Sequence, residues 1–252
     1  MSQPAQYPSL HDQVVLITGG ASGIGASMVE QFALQGAKVA LVDVDDQCAA
    51  KLKAELSPHS LLCLHCDLTD TGMVRKAVAE IEEKLGPVRV LVNNAARDDR
   101  HKFEEVTPEY WDERIAVNLR HQFFVTQAVV PGMKKAGGGS IINMSSIAWM
   151  IPSTGLPVYV VAKAGIVGLT RTLAKELGAE NIRVNCISPG AIMTERQRRL
   201  WMTPEYVAEI MQRQSLKREL LPEDVARLAL FLGSDDSSAI TGQNFVIDGG
   251  WV

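Results

Sequence analysis

Short apolar, β-branched runs recur along the chain, each followed by a stretch with helical spacing. This alternation limits the fold more than any other feature of the sequence. Val14–Thr18, Lys38–Asp43, Leu61–Cys66, Val88–Asn93, Ser140–Met144, Ile182–Ile187 and Asn244–Ile247 read as strands. They lack an apolar–polar alternation, as expected of parallel strands covered on both faces. Between them, Gly23–Gly36, Gln47–Leu56, Thr71–Leu85 and Pro157–Gly178 carry helical periodicity. Thr107-Pro108-Glu109 opens a long helix, and Thr203-Pro204-Glu205 and Pro222–Leu232 begin two more. Right-handed crossovers then predict an α/β fold: a doubly wound parallel sheet of seven strands with helices on both faces. No linker or internal repeat divides residues 1–252, so a single domain is expected, with residues 1–12 as a loose N-terminal arm.

Composition narrows the function. The 252 residues carry 25 Lys+Arg and 29 Asp+Glu, a net charge of −4, with no basic block. Such a chain cannot neutralise a row of phosphates, so no nucleic-acid partner is expected. No apolar run approaches the ~20 residues that span a bilayer, so no membrane partner is expected either. Met1–Leu10 has neither the basic nor the apolar segment of a secretory signal, and a cytoplasmic location is expected. Four cysteines do not make a disulfide scaffold. Cys63-x-x-Cys66 encloses His65, but a strand turns Cys63 and His65 to one side and Cys66 to the other. No second ligand pair follows, so core cysteines and no metal are expected.

In doubly wound sheets, ligands bind at the carboxyl ends of the strands. After the first strand comes Thr18-Gly19-Gly20-Ala21-Ser22-Gly23-Ile24-Gly25. Its Gly-x-x-x-Gly-x-Gly spacing and the helix start behind it suit a pyrophosphate, although a plain strand-to-helix turn reads the same way. Gly19, Ser22, Gly23, Ile24 and Gly25 are the candidate contacts. The second strand ends at Asp43, which would accept from ribose hydroxyls and repel a 2′-phosphate. No basic residue stands in Gly20–Gly25 or at Val44, which favours NAD over NADP. A solvated loop aspartate is the plain alternative. Asp67 and Leu68, after the third strand, are candidates for an adenine edge. Asn93-Asn94-Ala95, after the fourth, either bridges strands beside a ligand or marks a turn. Ser145-Ser146 closes the fifth strand, and Tyr159 and Lys163 lie one helical turn apart, on one face. A tyrosine of pKa ~10 is a poor base unless a nearby cation favours its phenolate. Ser146 is placed to bond a substrate oxygen. Taken alone, the Tyr–Lys pair also fits an ordinary surface.

Together these residues, with Asn118, Pro189-Gly190, Pro222-Glu223-Asp224-Val225-Ala226, Thr241-Gly242-Gln243 and Asp248-Gly249-Gly250, resemble the short-chain dehydrogenase/reductase superfamily over essentially the whole chain. The resemblance implies a single-domain Rossmann fold and an oxidoreductase acting on CH–OH donors. It implies Tyr159 as general acid/base, Lys163 lowering the pKa of Tyr159 and bonding the nicotinamide ribose, and Ser146 positioning the reacting oxygen. Asn118 would hold a water in a proton relay that ends at Lys163. Asn94, Ala95 and the Pro189–Thr194 segment would meet the cofactor, with Ile192 and Thr194 at the carboxamide. Residues about 195–216 take the place of the family's substrate lid, and helices about 107–135 and 157–178 match those that build homotetramers. Ala96 stands where the family commonly has glycine.

Arg97-Asp98-Asp99-Arg100-His101-Lys102, Tyr110–Arg114 and Val117–His121 are similar to the aldose (D-xylose-type) 1-dehydrogenase branch. That branch implies oxidation of the anomeric hydroxyl of a pentose or hexose to a lactone. Arg97 and Asp98 would supply polar contacts to the sugar, or else form ion pairs in a solvated loop. A guanidinium at 97 also suits a carboxylate, so a sugar acid is an alternative substrate, as is a polyol. A non-catalytic NAD-binding module is the remote alternative.

Overall fold

Seven strands pair side by side in a computed structural model that describes residues 5–252. They are β1 (Val14–Thr18), β2 (Lys38–Asp43), β3 (Leu61–His65), β4 (Val88–Asn93), β5 (Gly139–Met144), β6 (Ile182–Pro189) and β7 (Asn244–Ile247). Their order is β3-β2-β1-β4-β5-β6-β7 and every pair is parallel. The chain winds outward from β1 to β3, then returns to β4 on the other side of β1. Two loops that leave in opposite directions therefore open a crevice above the β1–β4 junction.

Alternate residues of each strand feed two apolar layers. Val15, Ile17, Val39, Leu41, Val90 and Val92 pack against Met28, Val29 and Phe32 of α1 (Gly23–Leu34) and against Val225, Ala229 and Leu230 of α9 (Pro222–Gly233). Val14, Leu16, Ala40, Val42, Leu91 and Val184 turn to the opposite face. There they meet Val74 and Ile81 of α3 (Thr71–Leu85), Val125 and Val129 of α5 (His121–Lys135) and Leu173 of α6 (Pro157–Leu177). Burial on both faces is why the strand sequences show no period of two.

Three local features differ from the expectations. From Ala5 onward the N-terminal segment is docked: Leu10 is buried, the Tyr7 amide donates to Gln35 Oε1 (2.8 Å), and Gln35 Nε2 donates to the Ala5 carbonyl (3.0 Å). The part of the expected loose arm before Ala5 lies outside the described residues. The helix that starts at Thr107 is not uniform. After α4 (Pro108–Ile115) the chain widens into a π turn at Ala116–Arg120 before α5. The lid region adds a helix that was not expected, α7 (Glu195–Leu200), before the expected one at Thr203, α8 (Pro204–Arg213); Thr194 and Thr203 cap them with their hydroxyls. The remaining helix, α2 (Asp46–Glu55), covers the edge near β3. None of the helices of the described residues is long and apolar enough to cross a membrane.

Candidate active site

The glycine turn is set by contact rather than by flexibility. Gly19 has φ +61°, in the left-handed region that favours glycine, and a Cβ there would lie 2.7 Å from Ala95 Cα. A Cβ on Gly25 would lie 2.0 Å from the Gly19 carbonyl oxygen, so the first turn of α1 presses directly on the end of β1. Asn94 holds this turn in place. Its Nδ2 donates to the carbonyls of Thr18 (3.0 Å) and Gly19 (2.9 Å), while Thr18 Oγ1 accepts from the amides of Asn94 (2.9 Å) and Ala95 (3.1 Å). Ser22 stands at the N-cap of α1, but its hydroxyl makes no capping bond. The first amides of α1 are thus left for another acceptor, and the helix end favours an anion.

Asp43 and Asp67 extend this cradle. Asp43 Oδ2 accepts from the Ala21 amide (2.9 Å), and its Oδ1 accepts from the amides of Val44 (2.8 Å) and Asp45 (3.1 Å). Asp67 Oδ1 accepts from the Thr69 amide (2.9 Å) and hydroxyl (2.8 Å). Both line one cleft of about 440 Å³ with Leu68, Gly19, Ser22, Ile24, Gly25, Asn94 and Ala95. At its far end the same cleft is lined by Ser146, Tyr159, Lys163, Pro189, Gly190, Ile192 and Thr194, and by Arg97 and Asp98. Two expected site residues are not among those that line the cleft. Gly23 backs onto Thr194, to which a Cβ would approach within 3.3 Å. Asn118 is fully buried in the π turn: its Oδ1 accepts from the Arg97 amide (2.9 Å) and its Nδ2 donates to the Arg114 carbonyl (3.0 Å). Ala96 sits at the cleft surface, where its methyl is accommodated.

A buried polar ladder fixes the catalytic end. β4 and β5 pair Asn93 with Asn143. Asn93 Nδ2 donates to Asn143 Oδ1 (2.9 Å), and Asn143 Nδ2 donates to Thr170 Oγ1 of α6 (3.0 Å). Ser145 Oγ donates to the Lys163 carbonyl (2.7 Å), so the first turns of α6 are tied to the end of β5. Lys163 itself is fully buried, and its Nζ donates to the Met144 carbonyl (2.7 Å) and lies 5.4 Å from the centre of the Tyr159 ring. Burial pushes the Lys163 pKa down to about 8, against the favourable fields of Cys186 and Asp98. Burial and the Asp98 charge raise the Tyr159 pKa above its ordinary value, while Ser146, Arg100 and Arg196 oppose that shift. Without a further cation nearby, the Tyr159 hydroxyl keeps its proton.

The stretch after β4 is clamped by the lid. Asp98 Oδ1 takes Arg196 Nη1, and Asp98 Oδ2 accepts from Gln197 Nε2 (2.6 Å). Asp99 accepts from Arg196 Nη2 (2.9 Å) and from Arg114 Nη1 (2.6 Å). Arg100 stacks over Trp201, 5.2 Å from the ring centre. Burial works to raise the Asp98 pKa, yet the Arg196 and Gln197 hydrogen bonds outweigh it and hold the carboxyl below its usual range. The Arg97 guanidinium reaches Asp99 (3.2 Å) and Glu113 (3.7 Å).

Met202 and Tyr206, within the expected lid of about 195–216, and Trp251, which sequence reasoning missed, also line the cleft. Trp251 arrives by a bend at Gly249 (φ +70°) and Gly250 (φ +78°), fastened by Asp248, whose oxygens accept from the Gly250 and Val252 amides (both 2.8 Å). Asp-Gly-Gly was the available signal. Among the described residues no cluster of three or more His, Cys, Asp or Glu side chains is arranged to hold a metal ion. An extended anionic dinucleotide does fit the cleft: a glycine turn that admits no Cβ, an uncapped helix start, and carboxylates at two successive strand ends.

Comparison with known proteins agrees with this geometry. Residues 19–252 match a family described as enoyl-(acyl carrier protein) reductase. The chain is 53% identical over 249 residues, 98% of this chain and 97% of the other, to a protein of Rhizobium meliloti named a "probable galactose dehydrogenase". It is 52% identical over 249 residues, 98% of both chains, to a D-xylose 1-dehydrogenase of Caulobacter vibrioides. A solved short-chain type dehydrogenase/reductase from Mycobacterium ulcerans superposes with a TM-score of 0.92 at 29% identity, covering 98% of this chain and 91% of that one. The fold, the cleft and these relatives agree: the chain belongs to the short-chain dehydrogenase/reductase family, oxidoreductases that act on CH–OH groups with a nicotinamide dinucleotide.

Proposed function

We propose that the protein oxidises the anomeric hydroxyl of an aldose, a pentose or hexose, to the lactone, with NAD as acceptor. The observation that carries this reading is the convergence of Ser146, Tyr159 and Lys163 at one end of a dinucleotide-shaped cleft, under a lid that brings Arg196 and Gln197 to the cleft. The sugar is suggested by the relatives named for galactose and D-xylose.

NAD, when bound, supplies the hydride acceptor and a positive charge beside Tyr159. Gly19, Ser22, Ile24 and Gly25 would hold its pyrophosphate, Asp43 its adenosine ribose, and Asp67 and Leu68 its adenine. Asn94, Ala95, Pro189, Gly190, Ile192 and Thr194 would flank the nicotinamide half. Asp43 also favours NAD over NADP, because a 2′-phosphate would meet its carboxylate with no cation at Val44 or in the turn. Ser146 donates to the sugar oxygen and holds the reacting C–H. The Lys163 ammonium and the added positive charge favour the Tyr159 phenolate, which removes the hydroxyl proton. Asp98, Arg196 and Gln197 bond one another, and the lone pairs and N–H groups left over, the Gln197 carbonyl among them, would serve a polyhydroxylated substrate. The sugar-acid alternative is weaker, since Arg97 already faces Asp99 and Glu113. A homotetramer remains part of the proposal through helices α4, α5 and α6.

The test is a substrate panel of aldoses, sugar acids and polyols, each with NAD and NADP, followed by absorbance of the reduced nicotinamide. Turnover of an aldose with NAD supports the reading. Turnover confined to acids or polyols, or a kcat/KM that favours NADP, overturns it.

A further inference from the structure

Trp251 lines the cleft but takes no part in the chemistry given to Ser146, Tyr159 and Lys163. Which end of the cleft it lines follows from what its segment is fastened to. β7 lies beside β6, at the opposite edge of the sheet from β2 and β3, whose ends carry Asp43 and Asp67. The Gly190 amide donates to the Ile247 carbonyl (2.8 Å). A Cβ on Gly190 would lie 2.8 Å from Asp248 Cα and 3.6 Å from Ile147 Cδ1. Gly190 is thus wedged between Asp248 and Ile147, the residue after Ser146. Trp251, three residues beyond Asp248, therefore enters the cleft at its reacting end, away from the two adenosine-side carboxylates.

The segment that carries the indole has little room to retreat. Its two glycines lay it against the chain that follows α8. The Leu216 amide donates to the Gly249 carbonyl (2.8 Å), and the Ser215 amide and hydroxyl both donate to the Gly250 carbonyl (3.1 and 3.0 Å). Behind them Gln214 is fully buried, and its Nε2 donates to the carbonyls of Leu216 (3.0 Å) and Arg218 (2.9 Å). A Cβ on Gly249 would lie 3.1 Å from Gln214 Nε2, and one on Gly250 would lie 2.8 Å from Ser215 Oγ. The Arg213 guanidinium, paired with Glu209 (2.9 Å), lies over the Trp251 ring, 5.9 Å from its centre. Arg213 is not among the residues that line the cleft, so it backs the ring from another side.

A pocket distinguishes substrates that differ by one carbon by about 10- to 200-fold, and it does so through walls that do not yield. We propose that Trp251 is a specificity-determining residue that sets the size of the aldose: its indole bounds the reacting end of the cleft on the β7 side and is the surface that the C6 group of a hexose meets. The proposal rests on the aldose reading above. A pentopyranose has a hydrogen where the matching hexopyranose carries CH2OH, so the two sugars differ in that group alone. A fixed aromatic wall is what such a difference requires, and the bonds from Ser215, Leu216 and Asp248 supply the fixing.

The test compares matched sugars, D-galactose with L-arabinose and D-glucose with D-xylose, each pair differing only in the C6 group. kcat and KM are measured with NAD for wild type, Trp251→Leu and Trp251→Phe. Cutting back the wall is expected to raise the ratio of kcat/KM, hexose over pentose, by about tenfold or more in Trp251→Leu. The rise should be smaller in Trp251→Phe and should come mainly from a lower KM for the hexose. Affinity for NAD, read by equilibrium titration, should match wild type and shows at the same time that each variant is folded. A ratio unchanged in both variants overturns the proposal. So does an equal loss for both members of a pair, which would mark a segment that only supports the lid, and so does weakened NAD binding, which would place the indole on the cofactor. Turnover of none of these sugars by wild type would also overturn it, while the wider substrate panel decides separately whether the aldose reading falls too.

Discussion

At position 43 a single carboxylate both fastens the glycine turn, through the Ala21 amide, and faces the cleft where an adenosine ribose would lie. Hydrogen bonds to a charged group contribute about 1.5–3 kcal/mol. Asp43→Ala is therefore expected to raise the KM for NAD by roughly tenfold or more and to narrow the preference over NADP. Steady-state kinetics with both cofactors decides this, and an unchanged KM for NAD would remove Asp43 from the site. Tyr159 makes a cleaner separation of roles. Tyr159→Phe keeps the ring that packs near Lys163 but loses the proton-carrying oxygen. Its kcat should fall by about 10²–10⁴, while equilibrium titration shows cofactor affinity close to wild type. Retention of full activity would show that another group moves the proton.

At the scale of elements, the lid is the feature with most to test. Arg196 joins α7 to Asp98 and Asp99 across 97 or 98 residues of sequence, and Gln197 adds a second bond to Asp98. Arg196 is 41% exposed, so solvent screens the pair and each contact is modest. Arg196→Ala and Asp98→Ala should each raise the KM for the sugar several-fold and be strongly non-additive when combined, as a double-mutant cycle would show. Additive effects would mean that the clamp does not act as a unit. The same element shows where sequence reading stops. The strands were legible because residues such as Val15, Leu16 and Ile17 are buried on both faces and are apolar without a break. The glycine turn was legible because only glycine fits at positions 19 and 25. The clamp was not, since nothing local to Asp98 reveals that its partner lies in α7. The π turn was hidden for a related reason: it depends on Asn118 bonding the Arg114 carbonyl within its own helix and the Arg97 amide outside it. The arm after Ala5 was misread because polar neighbours and prolines mask two anchoring contacts, those of Leu10 and Tyr7.

At the scale of the whole molecule, the buried ionisable groups link the site to folding. The His121 pKa is pushed from 6.5 down to about 3 by burial and by the Lys163 charge. Between those values the unfolded chain binds a proton that the folded protein refuses, so stability rises with pH across that window and is lost as pH falls through it. Chemical denaturation from pH 7 to pH 4 should therefore show a declining unfolding free energy, less steep in His121→Gln than in wild type. Equal slopes would show that the carboxylates alone, such as Asp98 and Asp224 with their lowered pKa values, set the acid limit. The fold places Lys163 and Asp98 at the crevice above β1 and β4, and the oxidation of a sugar at its first carbon in that crevice is the claim on which the rest depends. The most direct measurement is the fate of an aldose labelled with ¹³C at C1, followed by NMR during turnover with NAD. The anomeric signal is expected to give way to that of a lactone or its hydrolysed acid, with one reduced nicotinamide formed per sugar; a label that remains anomeric while another carbon is oxidised, or no turnover of any aldose, would rule out oxidation at the first carbon.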